Sequence, residues 1–117
     1  MRLLIAYEDS HNLYSEAMER AIGVSRPHLE IEVARTSELE TEMERFDPHM
    51  VLCEQPNPAH PGGRGAWVKH SYEPSEPSEV CLGGRRWELE NPTLEELIAI
   101  IDETEELVRT GRAPKGC

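Results

Sequence analysis

The sequence predicts an α/β fold, in which a wound parallel sheet of five strands forms the middle of three layers. Near-continuous apolar runs at residues 3–7 and 49–53 are typical of strands that are covered on both faces. Helical patterns follow the first two strands after short connections, and a βαβαβ order of this kind favours a parallel, right-handed sheet. The length of 117 residues suits a single domain with one core.

The first strand and helix are predicted from residues 1–23. The apolar strand at residues 1–6 leads into the polar turn Glu8-Asp9-Ser10, whose side chains suit a helix cap. Apolar residues then recur at helical spacing: Leu13, Tyr14, Ala17, Met18, Ala21 and Ile22. Gly23 is expected to end this helix.

A second strand, a second helix and a third strand follow. Residues 29–34 alternate apolar and polar side chains, which indicates a strand at a sheet edge with one wetter side. Ser37–Glu40 has capping-box spacing, and Asp47-Pro48 is expected to end the helix. The apolar face of this helix is Leu39, Met43 and Phe46. Residues 49–53 form the third strand.

The middle of the chain departs from this regular alternation. Residues 55–65 and 72–79 are rich in proline and glycine or serine, so the third and fourth helices are expected to be reduced to loops. Short strands are predicted at residues 66–70 and 80–82. The glycines that follow allow either a tight hairpin to an extra strand at 85–89 or a plain loop, and the alternating pattern favours the hairpin.

The last helix carries the clearest start signal. Asn91-Pro92-Thr93 offers a cap followed by proline in the first turn, and Thr93–Glu96 has capping-box spacing. The apolar face comprises Leu94, Leu97, Ile98, Ile101, Leu107 and Val108. Gly111 is expected to end the helix. We therefore predict one domain over residues 1–111 and a C-terminal tail over residues 112–117.

The composition narrows the possible partners and the compartment. The chain has 12 basic and 23 acidic residues, and the resulting net charge of −11 opposes binding to nucleic acid. No apolar run is long enough to span a bilayer, and the N-terminus does not resemble a signal peptide, so a cytoplasmic protein is expected. The three cysteines are odd in number and unpaired in spacing, which argues against a disulfide framework.

Three acidic residues follow strands that are expected to be neighbours. Glu8 and Asp9 come after the first strand, and Glu54 comes after the third. In wound sheets of this kind, the carboxyl ends of adjacent parallel strands lie side by side, and ligands bind in the crevice beyond them. Such carboxylates either hold a divalent cation or raise one another's pKa. Taken together these residues predict an acidic pocket that binds magnesium weakly at most.

The segments LLIAYEDS, DPHMVLCEQP and NPTLEELIAII resemble a response-regulator receiver domain, with a CheY-like, flavodoxin-like fold. The resemblance covers residues 1–54 and 91–109. It implies that Glu8 and Asp9 match the acidic pair that holds magnesium, although Tyr7 allows a register shifted by one. It further implies that Glu54 stands at the phosphoacceptor position, and that Ser71 matches the hydroxyl residue after the fourth strand.

Departures from the family pattern predict a degenerate, pseudo-receiver site without catalytic residues. Glutamate replaces the phosphoacceptor aspartate at Glu54, and Gly83-Gly84-Arg85 stands where the family has lysine and proline. Because phosphoryl transfer depends on in-line positioning, no enzymatic activity and a phosphorylation-independent role in signalling are expected. The alternative is a flavodoxin-like protein that binds a small ligand or acts as an enzyme on an unknown substrate.

The missing helices predict a protein interface. With two helices reduced to loops, part of one sheet face is expected to be bare, and such patches usually mark interfaces. A homodimer or an obligate partner protein is therefore expected, with no direct contact to nucleic acid or membrane. The predicted interface residues are Trp67, Val68, Tyr72, Val80, Leu82 and Trp87.

Overall fold

A computed structural model of the chain describes residues 1–55, 66–71, 73 and 75–111. These residues form an α/β architecture of one sheet and three α-helices. The strands are β1 (Arg2–Tyr7), β2 (Glu30–Arg35), β3 (Met50–Cys53), β4 (Ala66–Lys69), β5 (Ser78–Leu82) and β6 (Arg85–Leu89). The helices are α1 (Asn12–Ser25), α2 (Leu39–Phe46) and α3 (Leu94–Arg109), and short 3-10 turns at Asp9–His11 and Thr36–Glu38 precede the first two.

The sheet is mixed and has six strands in the order β2-β1-β3-β4-β5-β6. The pairs β1–β2, β1–β3 and β3–β4 are parallel, whereas β5 is antiparallel to both of its neighbours. The prediction of a five-stranded, wholly parallel sheet is therefore wrong. Residues 70–77 join β4 to β5, and this connection is shorter than the dozen or more residues that a parallel crossover needs. The chain consequently turns back instead of crossing over.

A two-residue turn joins β5 to β6 and gives the sheet its sixth strand. Gly83 and Gly84 both have positive φ, at 59° and 80°. This conformation matches the twist of a hairpin and is favourable only for residues such as glycine. Leu82 and Arg85 are paired across the turn. Of the two alternatives for this segment, the structure has the hairpin.

Capping groups explain where the helices begin and end. The Thr93 hydroxyl accepts a hydrogen bond from the Glu96 backbone N–H at 3.1 Å, and the Glu96 carboxylate accepts one from the Thr93 N–H at 3.0 Å. This is the capping box predicted for α3. Asp47, in the left-handed region at φ 49°, ends α2. The first helix runs to Ser25, two residues beyond the expected end at Gly23.

The core lies on the two faces of the sheet. One face is covered by α1 and α3, and its buried side chains include Leu3, Ile5, Leu52, Val68, Val80, Leu82, Ile22, Leu97 and Ile101. The other face packs against α2, and its cluster comprises Leu4, Ala6, Val51, Cys53, Trp67, Cys81 and Leu39, with Met43 and Phe46 alongside. Arg26 and Asp102 join α1 to α3 through paired hydrogen bonds of 2.8 and 2.7 Å.

The expected bare face near Val68, Val80 and Leu82 does not exist, because these side chains point toward α1 and α3. Each is at most 2% exposed. The proline-rich segments were expected to leave this face open, but α3 covers it from the end of the chain. The predicted loop at 56–65, Tyr72 and the tail at 112–117 lie outside the described residues.

Two further expectations concern the cysteines and the membrane. Cys53 is a buried free thiol, and burial raises its pKa to about 12. Cys81 is buried as well and is disulfide-bonded, so the odd number of cysteines does not exclude a single disulfide. Among the helices in the described part of the chain, none combines the length and the apolar character needed to cross a bilayer.

Candidate acidic site and its neighbouring histidines

The candidate site lies where β1 and β3 end side by side. Within the sheet, β2 lies on one side of β1 and β3 lies on the other side, so the strand order reverses at β1. Such a switch point is where open α/β sheets bind ligands, in the crevice beyond the carboxyl ends of their strands. Glu8 follows β1 and Glu54 follows β3, so the fold brings these two predicted residues to one place.

Glu54 is the centre of this site, and its carboxylate is already engaged. Its Oε1 accepts a hydrogen bond from His11 Nδ1 at 2.7 Å and a longer one from the Glu8 backbone N–H at 3.3 Å. The side chains of His11 and Glu54 are each only 15% exposed. The carboxylate is therefore partly shielded from solvent and held by two donors from the turn after β1.

His11 was not among the predicted site residues. The 3-10 turn at Asp9–His11 brings it there, because the His11 backbone N–H donates to the Glu8 carbonyl at 2.8 Å. A histidine three residues after an acidic strand end is the signal that was available. Without the geometry of the turn, however, the direction of the imidazole could not be known.

Asp9 forms an ion pair with Arg35 at the end of β2. Its carboxylate contacts Arg35 Nε at 3.2 Å, and both side chains are largely exposed. Asp9 and Arg35 line a cavity of about 270 Å³ beyond the ends of β1 and β2, together with Tyr7, Asn12 and Glu38. Glu8 also lines this cavity, so the three predicted carboxylates are divided between two places, and Glu8 contacts Glu54 through its backbone N–H.

This division bears on the predicted metal site. Within the described ranges of the chain, no group of three or more His, Cys, Asp or Glu side chains is arranged to hold a metal ion. Ser71, the predicted hydroxyl residue, follows β4 as expected. Its oxygen accepts a hydrogen bond from the Glu73 backbone N–H at 3.0 Å and so stabilises a local turn.

A second polar network, which was not predicted from the sequence, is centred on His70 at the end of β4. His70 Nδ1 lies 2.7 Å from Ser78 Oγ, and Nε2 lies 2.6 Å from the hydroxyl of Tyr14. The Tyr7 hydroxyl donates to the His70 carbonyl at 2.6 Å. The network thus joins β1, α1, β4 and β5 across the boundary between the parallel and antiparallel parts of the sheet.

Burial determines the protonation of this network. His70 is 6% exposed, and desolvation lowers its pKa below the ordinary value for histidine. Desolvation likewise raises the pKa of Tyr7 and of Tyr14, so all three groups are neutral near neutral pH. Ser78 is only 1% exposed, which leaves its hydroxyl inaccessible to a substrate. The arrangement is suited to holding four elements together.

The remaining predicted residues lie farther along the sheet. Trp67 is 3% exposed, and its indole N–H donates to the Gln55 carbonyl at 3.0 Å. Trp87 is half-buried and packs against the cluster beneath α1 and α3. Of the predicted interface residues that are described, Trp87 alone retains substantial exposed surface.

Comparisons with known proteins assign no relative: no family model, no curated protein and no solved structure matches the chain. The functional interpretation accordingly depends on the local geometry of the Glu54 site and on the direction of each strand.

Proposed function

We propose that the chain is a receiver-like regulatory domain, cytoplasmic and without catalytic activity, that acts through protein contacts and not through phosphoryl transfer. The first five strands stand in the order β2-β1-β3-β4-β5, which is the order of flavodoxin-like sheets. This order supports the receiver-like interpretation of the segments around Glu8 and Glu54. The reversed direction of β5 and the addition of β6 distinguish the chain from that plan.

The observation that carries the proposal is the engagement of the Glu54 carboxylate. A phosphoacceptor must be free to attack in line, and a displacement of about 1 Å at such a centre can cost on the order of 100-fold in rate. Here Oε1 of the carboxylate accepts a hydrogen bond from His11 at 2.7 Å, which fixes the orientation of the group. The pair gives the site one fixed arrangement, with a permanent carboxylate where a receiver would carry a removable phosphoryl group.

The direction of β5 supports the same conclusion. In receiver domains the fifth strand is parallel and carries the lysine at its carboxyl end, beside the phosphoacceptor. Because β5 is antiparallel to β4 in this chain, the carboxyl end of β5 at Leu82 lies beside the amino end of β4. Glu54 follows the carboxyl end of β3, at the opposite end of the strands. A side chain that follows β5 therefore cannot take the role of that lysine.

Incubation with acetyl phosphate and magnesium tests the proposal. We expect the intact mass of the wild-type chain to remain unchanged. The Glu54→Asp variant shortens the side chain by one methylene and restores the family residue, so it reports whether the rest of the site is competent. A stoichiometric phosphoryl adduct on the wild-type chain that disappears in Glu54→Gln would refute the proposal.

A second candidate function, ligand binding, is favoured by the cavity of about 270 Å³ beside Asp9 and Arg35. Its lining carries three carboxylates, those of Glu8, Asp9 and Glu38, beside the guanidinium of Arg35, which would suit a small zwitterionic molecule. Arg35→Ala removes the one basic side chain in this lining while leaving Glu54 and His11 intact. A ligand whose calorimetric binding is lost in Arg35→Ala and kept in His11→Ala would favour this function over the regulatory one.

A further inference from the structure

The open edge of β6 carries an inference that does not depend on the Glu54 site. Among the described strands, β6 is the last in the sheet order and has β5 as its only strand neighbour. An edge strand exposes backbone N–H and C=O groups that can pair with another chain. The Arg86 and Glu88 side chains of this strand are exposed, and Trp87 between them is half-buried.

The turn before β6 determines which backbone groups point outward. In a two-residue hairpin the residues that flank the turn form a hydrogen-bonded pair, and such pairs alternate along the strands. Leu82 and Arg85 flank the Gly83-Gly84 turn. The N–H and C=O groups of Arg85, Trp87 and Leu89 thus face β5. Those of Arg86 and Glu88 face the open edge.

We propose that β6 pairs antiparallel with the β6 of a second copy of this chain, with Trp87 opposite Trp87. In this register the Arg86 of each copy lies opposite the Glu88 of the other, and their outward-facing backbone groups form hydrogen-bonded pairs. Opposite charges and aromatic rings in directly facing positions are the favourable cross-strand combinations. The arrangement is two-fold symmetric, as expected for a self-complementary surface.

The other registers are disfavoured by charge or by hydrogen bonding. A shift by one residue would place an outward-facing residue opposite an inward-facing one, so only shifts that keep this alternation are possible. The neighbouring allowed registers place Arg86 opposite Arg86 or Glu88 opposite Glu88. Because like charges in facing positions are destabilising, the register centred on Trp87 is the one that the sequence favours.

The opposite edge of the sheet lacks this self-complementarity. In β2 the acidic residues are Glu30 and Glu32 and the basic residue is Arg35. Antiparallel self-pairing brings together only positions an even number of residues apart, and both glutamates are an odd number from the arginine. No antiparallel register of β2 with itself therefore pairs opposite charges.

Sedimentation equilibrium of the full chain, from micromolar to sub-millimolar concentration, tests the proposal. Because the net charge of −11 opposes association, the experiment is run at about 0.15 M salt, where exposed charges are screened beyond about 8 Å. We expect the apparent mass to rise from 13.3 kDa toward that of a dimer. A chain that stays monomeric over the whole range would refute the proposal.

Charge reversal tests the register itself. Arg86→Glu and Glu88→Arg each place like charges in both facing positions, so each variant is expected to dimerise at least about tenfold more weakly. Mixing the two variants restores two complementary pairs, and a heterodimer is expected that neither variant forms alone. The matched control is Arg20→Glu, which makes the same change of charge at an exposed position of α1. Failure of the mixture to associate, or equal weakening by the control, would overturn the proposal.

Discussion

Replacing His70 by alanine tests whether the buried polar network stabilises the fold. The substitution removes the contacts of both ring nitrogens, at 2.7 Å to Ser78 and 2.6 Å to Tyr14. Each hydrogen bond contributes about 1 kcal/mol net, and leaving the Ser78 hydroxyl buried without a partner costs roughly 1–3 kcal/mol more. Tyr14 is half-buried and can regain a partner from water. We therefore expect His70→Ala to lower the free energy of unfolding by about 3–5 kcal/mol.

Urea unfolding at pH 7.5, followed by the fluorescence of Trp67 and Trp87, measures this change. Tyr14→Phe serves as the matched variant, since it removes one of the two hydrogen bonds and keeps the ring, and it should cost about 1 kcal/mol. Equal effects of the two substitutions, or a loss below about 0.5 kcal/mol in His70→Ala, would refute the role assigned to His70, because surface-like changes fall in that range.

Comparison of the wild-type chain with His70→Ala also tests how stability depends on pH. The pKa of His70 is lowered in the folded state, so below about pH 6.5 the unfolded chain binds a proton that the folded chain resists. The contribution of His70 to the free energy of unfolding is complete above that pH. It falls as the pH drops, by at most about 1.36 kcal/mol per pH unit for this one proton. The wild-type chain should lose stability more steeply than His70→Ala between pH 6.5 and the folded-state pKa. Parallel pH profiles would contradict the assignment.

Three further substitutions test the fold by the same urea titration. Thr93→Ala removes the hydroxyl that caps α3 and should cost about 1 kcal/mol, whereas Thr93→Ser should cost little; equal losses would contradict the capping role. Gly83→Ala places a side chain at φ 59° and should cost roughly 1 kcal/mol through backbone strain, and no loss would count against the hairpin conformation. Val68→Ala, at a fully buried position facing α1 and α3, should cost roughly 2–4 kcal/mol, and an unchanged midpoint would indicate that this face is open after all.

The sequence allowed the first three strands and the start of α3 to be predicted because their signals are local. Apolar runs mark β1 and β3, alternation marks β2 as an edge strand, and capping residues mark the start of α3. The direction of β5 was missed because strand polarity depends on connection length and not on strand composition. Residues 70–77 are too few for a crossover, and this count was available from the sequence.

The candidate site was predictable in position but not in its contacts. Strand ends at a switch point placed Glu8 and Glu54 together, whereas the engagement of Glu54 by His11 depends on a 3-10 turn. In the His70 network, the contact with Tyr14 spans 56 positions of the sequence and the contact with Tyr7 spans 63. Sequence spacing carries no information about such distant pairs. The expected bare face was wrong because Val68, Val80 and Leu82 lie on the sheet face that α1 and α3 cover, and not on the face that α2 covers.

The mixture of near and distant contacts around His70 has a consequence for the order in which the chain assembles. The β5–β6 hairpin closes over two residues, and such units form in about 1–10 μs. The bond between Tyr7 and the His70 carbonyl instead closes a separation of 63 residues, which carries a larger entropic cost and comes later. We expect the hairpin to form early and the N-terminal strands to join it in the rate-limiting step. Substitutions at Tyr7 and within the Gly83-Gly84 turn should then both slow folding, with little effect on the unfolding rate.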